Sequence, residues 1–178
     1  IGARIHDPDD VKRIFQWMLE YTFDEKGNIT YYTYKSEDGV GVDPTELNEK
    51  NRNKTYPQKY HKGVYYTPDF PFDESNPTYF ETVKWRFQLI LDYGEHGDVQ
   101  PSIEETRPWA VRQDPFSSYR SGFEIRTYRL CRRFLMFHFF EADLGAVPYL
   151  VKSTDLAYDE NTIASRLLSV QHRGYEQG

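Results

Sequence analysis

In residues 15–23 every odd position is large and apolar (Phe15, Trp17, Leu19, Tyr21, Phe23), while Gln16, Glu20 and Thr22 fill three of the four even ones. A period of two predicts a half-buried strand. The polar cluster Asp24-Glu25-Lys26-Gly27-Asn28 follows, and residues 29–34 resume a β-type run of Tyr and Thr. Gly27 takes a positive φ at little cost, so the two runs are expected to form a hairpin. Trp85, Phe87, Leu89, Leu91 and Tyr93 alternate with Lys84, Arg86, Gln88 and Asp92 in the next strand, closed by Gly94. Residues 149–158 and 167–175 read as a closing hairpin around the turn Asp159-Glu160-Asn161-Thr162. The longest apolar-rich segment, residues 123–140, alternates in its first half, whereas Leu130, Phe134, Met136 and Phe137 also fit a helical face. Periodicity alone leaves 129–140 open between the two, and a long strand is the expectation adopted. Other helix signals are confined to residues 9–13.

Two stretches break the pattern. Residues 36–78 carry Pro44, Pro57, Pro68, Pro71 and Pro77 among many polar residues, which predicts a loop excursion holding a short strand at 63–66. Residues 95–121 hold Pro101, Pro108 and Pro115 and read as a second loop. The fold class expected is mainly β, with antiparallel strands, hairpins and long irregular loops, in a single domain over residues 1–178. Composition changes this little. Aliphatic content is low, but 15 Tyr and 12 Phe supply bulky rings suited to a pleated, half-buried surface. The chain starts on Ile1 rather than Met and stops on Gly178 just after a patterned segment, so a piece continuing at both ends is expected.

A net charge of −6 provides no global positive field, which argues against a nucleic-acid partner. No apolar run approaches the roughly 20 residues of a membrane span, and no signal-peptide pattern opens the sequence, so direct membrane insertion is not expected. The single cysteine, Cys131, excludes an intrachain disulfide or multi-cysteine zinc site and lies in an apolar segment, as a core thiol would. Asp92, Glu95, His96 and Asp98 form the densest set of acid/base or chelating residues, although a solvated turn after a strand also accounts for them. His6, His61, His138 and His172 are scattered, without metal-motif spacing. Ser117 and Ser118 lack a nucleophile-elbow context and read as a turn or cap. Arg112, Arg120, Arg126, Arg129, Arg132 and Arg133 are interleaved with Phe116, Tyr119, Phe123 and Tyr128, a pattern able to stack on single-stranded nucleic acid. The acidic total instead favours pairing with Asp and Glu. No catalytic, cofactor-binding or metal residues are therefore expected. A carbohydrate-binding module is the rival reading, because Tyr31, Tyr32, Tyr34, Tyr65, Tyr66 and the tryptophans could form an aromatic platform.

Tyr21-x-x-Asp24-x-x-Gly27 resembles the YD repeat of Rhs and teneurin proteins, whose stacked hairpins build a hollow β-sheet shell; residues 92–99 echo it weakly. Within residues 109–138, the run Asp114-Pro115-Phe116-Ser117-Ser118-Tyr119-Arg120-Ser121-Gly122-Phe123-Glu124-Ile125-Arg126-Thr127-Tyr128-Arg129 looks like the signature stretch of the SpvB family. Trp85-Arg86-Phe87-Gln88-Leu89-Ile90-Leu91-Asp92-Tyr93-Gly94-Glu95-His96 is similar to a second family segment. The resemblance covers about residues 15–175 and is poorest over 43–78. That family takes in the amino-terminal region of the Salmonella virulence plasmid B protein and the B component of insecticidal Tc toxin complexes. The resemblance implies a non-catalytic part of a secreted virulence protein, a wall of an Rhs/Tc-type shell enclosing a toxic fragment. It also implies partners: the rest of the parent chain with its β-propeller and Rhs-like shell, a C-type component, and, through the propeller, an A-type translocation component. Neither propeller blades nor the ADP-ribosyltransferase of the Salmonella protein's far end are recognisable in these residues.

Overall fold

The computed structural model describes residues 2–145 and 148–176. In chain order the elements are β1 (Arg4–His6), β2 (Ile14–Trp17), β3 (Tyr21–Phe23), β4 (Ile29–Ser36), β5 (Lys59–Pro68) and the one-turn helix α1 (Tyr79–Thr82). β6 (Trp85–Asp92), β7 (Phe116–Ser118), β8 (Ile125–Thr127), β9 (Arg133–His138), the one-turn helix α2 (Glu141–Leu144), β10 (Tyr149–Asp159) and β11 (Arg166–Gly174) complete it. Seven strands form one antiparallel sheet in the order β11-β10-β9-β6-β5-β4-β3, and β1-β2 and β7-β8 are separate hairpins. The mainly β, antiparallel class read from the pattern is the class observed.

Several elements differ from expectation. Residues 15–23 are two strands, because Met18 N–H turns back to the Ala3 carbonyl while the Glu20 carbonyl takes the Tyr32 N–H. The strand expected at 63–66 runs over Lys59–Pro68 and lies inside the sheet between β4 and β6. Residues 9–13 form turns rather than helix, with Asp7 and Asp10 carboxylates accepting backbone N–H groups of Asp9 and Lys12. The segment 123–140 is neither one strand nor a helix: β8 pairs with β7, and β9 joins the main sheet. Between them the Tyr128 and Arg129 N–H groups donate to the buried Tyr60 hydroxyl, and Arg132 N–H donates to the Asp92 carbonyl. Those donors are thereby diverted from any strand ladder.

The inward face of β6 is also the reverse of a simple apolar-in reading. Gln88, Ile90 and Asp92 are buried, while Phe87, Leu89 and Leu91 stay half-buried. Ile90 sits opposite Leu135, and with Phe137 they form a core that Ile103, Phe139 and Leu150 pack against. A second core of Tyr60, Tyr93 and Trp109 joins β5 to the loop after β6, with Leu91 and Cys131 beside it. The opposite face carries half-buried Val64, Tyr66, Phe87, Leu89, Phe134 and Met136.

Candidate functional site

Where β6 ends and β9 begins, the chain gathers charged side chains in its interior. Asp92, Glu95 and His96 are each 0% exposed, so the turn expected to be solvated is buried, with Asp98 alone of the four exposed. The Asp92 carboxylate accepts from Gly94 N–H at 2.8 Å and from Arg133 Nε at 2.6 Å. Burial would raise its pKa, but the Arg133 charge and these N–H donors outweigh that and hold it below the usual carboxylate range.

Glu95 Oε2 accepts the Tyr93 N–H at 2.7 Å, while Oε1 accepts from Lys62 Nζ at 2.5 Å. His96 Nδ1 lies 2.9 Å from the Ser102 carbonyl, which can only accept, so Nδ1 carries the hydrogen. The bare Nε2 then accepts from Lys62 Nζ at 2.9 Å. Glu105 lies 3.2 Å from the same ammonium, and the Leu91 carbonyl 3.4 Å. Lys35 bonds Glu105 at 2.6 Å. Among the described residues, Glu95, His96 and Glu105 form the group able to hold a metal, their ligand atoms within 4.8 Å of one another. Lys62 already supplies a cation to all three, so the arrangement is an ion-pair lock. Glu105 and Lys62 were missed in the sequence because no motif spacing links residues 10 and 33 positions from Glu95.

The arginines form a second network. Arg129 and Glu37 are both fully buried and paired through Nη2 and Nε, with Arg129 Nη1 donating to the Trp109 carbonyl at 3.0 Å. Arg126 donates to Glu49 at 2.5 Å, and the Tyr128 hydroxyl to the other Glu49 oxygen at 2.6 Å. Arg112 holds Asp114 through two hydrogen bonds, and Asp114 also accepts from Ser165 N–H, which ties the approach to β11 to the loop before β7. Arg132 pairs with Glu160. Arg120 is exposed. Ser117 lies within β7, not in a turn, and its hydroxyl donates to Glu124 at 2.5 Å. Burial pushes the Cys131 thiol up to about 12, which leaves it a poor nucleophile at neutral pH.

The YD-like residues sit at the other end of the sheet. Asp24 Oδ1 accepts the N–H groups of Lys26 and Asn28 at 2.9 Å, and Gly27 has φ 78°. Tyr21 packs among Phe23, Phe72 and Phe80. In the signature stretch, Pro115 is half-buried before β7, Tyr119 donates to Glu124 at 3.0 Å, and Gly122 turns at φ 84°. The structure therefore does not bring the two motifs together. Of the expected platform rings, Tyr31, Tyr65 and Trp85 pack on one another, Tyr34 stacks on His61 and Trp109 is buried, whereas Trp17 on β2 is 69% exposed.

The model of the family described as Salmonella virulence plasmid 65kDa B protein matches residues 2–140. The chain belongs to the SpvB family. Mono(ADP-ribosyl)transferase SpvB of Salmonella typhimurium (strain 14028s / SGSC 2262) is 38% identical over 98% of the chain, and so is that of Salmonella dublin. This SpvB-family chain spans 30% of the length of those relatives. Its fold matches the N-terminal domain of effector protein SpvB from Salmonella typhimurium strain LT2 with TM-score 0.89 and 38% identity, covering 98% of the chain and 56% of that domain structure. It also matches the TcdB2-TccC3-Cdc42 structure (TM-score 0.87, 37% identity, 99% of this chain and 9% of that one). In the Photorhabdus luminescens Tc holotoxin pore the values are 0.81, 35%, 96% and 8%. The transferase in the relatives' name refers to the full-length proteins, whereas the SpvB-family fold seen here corresponds to an N-terminal domain.

Proposed function

We propose that this SpvB-family chain is a non-catalytic wall element of a larger toxin-complex protein, part of a β-sheet shell that encloses a toxic fragment and helps deliver it. The observation that carries the reading is the sheet itself. Its apolar face, with Val64, Tyr66, Phe87, Leu89, Phe134 and Met136, is half-open, and β11 ends the sheet with all nine residues exposed. Surface of this kind is completed by neighbouring chain. The buried carboxylates Asp92, Glu95, Glu37 and Glu49 are held in ion pairs by Arg133, Lys62, Arg129 and Arg126, which suits a rigid wall better than turnover. Similarity to TcdB2-TccC3 structures extends the proposal to partners: the remainder of the parent chain with its propeller and Rhs-like shell, a C-type component and an A-type translocation component. A secreted or extracellular location goes with that role.

The test is a chimera in which this chain replaces the matching segment of TcdB2, purified with TccC3 and treated with protease. Protection of the enclosed TccC3 fragment is the expected result. A chimera that folds and assembles yet leaves the fragment open to digestion overturns the proposal.

A further inference from the structure

Away from the main sheet, the β1-β2 hairpin, the loop at residues 47–55 and the segment 119–124 enclose a cleft of about 690 Å³. That volume lies within the roughly 300–1,000 Å³ typical of small-molecule sites. The cleft has three chemical features, and together they narrow the ligand.

Its charges largely cancel before any ligand arrives. Arg52 is bonded to Glu124, and the buried Asp7 is paired with Arg13 at 2.6 Å. Asp9 remains as an exposed carboxylate beside them. An anionic ligand would thus meet a guanidinium already engaged, with a free carboxylate next to it.

The amides of Asn48, Asn51 and Asn53 are exposed along one side of the cleft. Each presents a carbonyl acceptor next to an NH₂ donor, the pairing that adjacent hydroxyl groups satisfy. A purely apolar ligand would desolvate these groups without replacing their hydrogen bonds.

Two rings stand in the remaining wall, beside Leu47, Pro8 and Thr55. Tyr119 is 63% exposed, and its phenol is tied to Glu124 at 3.0 Å, which holds the ring in place. Phe123 is braced edge-on against Phe15 with centroids 6.4 Å apart. A held aromatic ring offers a flat apolar surface to the C–H face of a pyranose, while the amides and Asp9 reach its hydroxyls.

We propose that this cleft binds a short neutral carbohydrate, stacked on Tyr119 and hydrogen-bonded by Asn48, Asn51, Asn53 and Asp9. The proposal goes beyond the shell reading and does not depend on it. It also differs in place from a platform built of Tyr31, Tyr32, Tyr34, Tyr65 and Tyr66, which lie on the main sheet.

The experiment is a titration of the 178-residue chain, labelled with nitrogen-15, with maltose, lactose, cellobiose and N,N′-diacetylchitobiose, with glucose 6-phosphate as the anionic comparison. Saturable amide shifts confined to residues 7–9, 47–55 and 119–124 for at least one neutral sugar are expected. Tyr119→Ala should weaken that binding about tenfold, as should Asn51→Ala, whereas Tyr119→Phe keeps the ring but loses its tie to Glu124 and should weaken binding distinctly less than Tyr119→Ala. Should Tyr119→Ala unfold the chain, the exposed pair Asn51→Ala and Asn53→Ala gives the same reading. Absence of saturation with all four sugars overturns the proposal. So does stronger binding of glucose 6-phosphate, or binding indifferent to these alanine substitutions.

Discussion

Arg129 lies with its guanidinium 4.2 Å from the centroid of the Trp109 ring and donates Nη1 to the Trp109 carbonyl at 3.0 Å. Lys35 Nζ approaches the same ring at 4.4 Å, and the indole Nε1 donates to Asp38 at 2.9 Å. The cluster joins the chain just after β4, the loop after β6 and the approach to β9. Two long loops are thus clamped to the sheet by buried charge.

Removing one member of a buried pair leaves the other uncompensated, at about 3–5 kcal/mol. Arg129→Ala should therefore lower the melting temperature by roughly 6–20 °C, using about 2–4 °C per kcal/mol for a domain of this size. Arg129→Lys should not rescue it, since a lysine cannot bond Glu37, the Trp109 carbonyl and the Val40 carbonyl together as Arg129 does. Replacing both partners, Glu37→Met with Arg129→Met, should cost less than Arg129→Ala alone. Calorimetry of the three variants checks this, and a melting point for Arg129→Ala equal to wild type would refute the clamp.

Gly27 and Gly122 separate backbone strain from crowding. Both have positive φ, 78° and 84°. A Cβ on Gly27 would lie 2.7 Å from Pro71 Cβ and 2.9 Å from Phe72 N, whereas on Gly122 the nearest neighbour is Arg13 Nη2 at 3.6 Å. Gly122→Ala should cost about 1 kcal/mol, the lower end for a left-handed non-glycine residue, and Gly27→Ala distinctly more, with Gly27→Val worse again. Urea unfolding of the three variants gives the order; equal midpoints for the two alanine variants would rule out the contact with Pro71 and Phe72.

The sequence pattern located β4, β6, β10, β11 and the turn at residues 24–28, because short-range alternation and a glycine turn are local signals. It did not reveal which face of β6 points inward. Gln88 is buried opposite Tyr65 of β5 and Asp92 through its bond to Arg133, partners on other strands that no local window contains. The break between β8 and β9 was hidden for the same reason, since it is made by the Tyr60 hydroxyl, 68 residues from Tyr128. At the ionic cluster, Glu95 and His96 were visible as chemistry, but Lys62 reaches them from β5. The polar character of the turn suggested solvent where the fold supplies counter-ions.

Stability should fall with acid in two stages. Burial lowers the pKa values of His61 and His138, so near and below the unfolded value of about 6.5 the unfolded chain binds more protons. Their contribution is complete above that pH and is lost as pH falls toward the folded values. Asp114, through its Arg112 hydrogen bonds, and Asp92, through Arg133, are depressed in the folded state. Their contribution is present above about pH 4 and disappears as pH drops through the folded values. His61→Phe keeps a ring beside Tyr34 while removing one titration. Urea midpoints from pH 7 to 5 should then slope less than in wild type, and an unchanged slope would exclude His61 as a source.

The two edges of the sheet predict how the isolated chain behaves in solution. β3 is an edge of three residues, too short to template much pairing, whereas β11 is an edge of nine, all exposed. Leu167, Leu168 and Val170 are 54%, 69% and 50% exposed along it. It contains no proline, and its one guarding irregularity is the bulge at Leu168, which the register with β10 skips between Ser169 and Leu167. An edge with few guarding features pairs readily with another strand. The chain should therefore show concentration-dependent light scattering. Val170→Lys places a charge in the middle of that edge and should shift the population to monomer, changing intrinsic stability by no more than about 0.5 kcal/mol because the site is exposed. Sedimentation and melts over a range of concentrations distinguish the outcomes. A wild-type monomer at every concentration, melting cooperatively above about 65 °C, would mean that β11 is not an open edge and that the sheet is complete without neighbours.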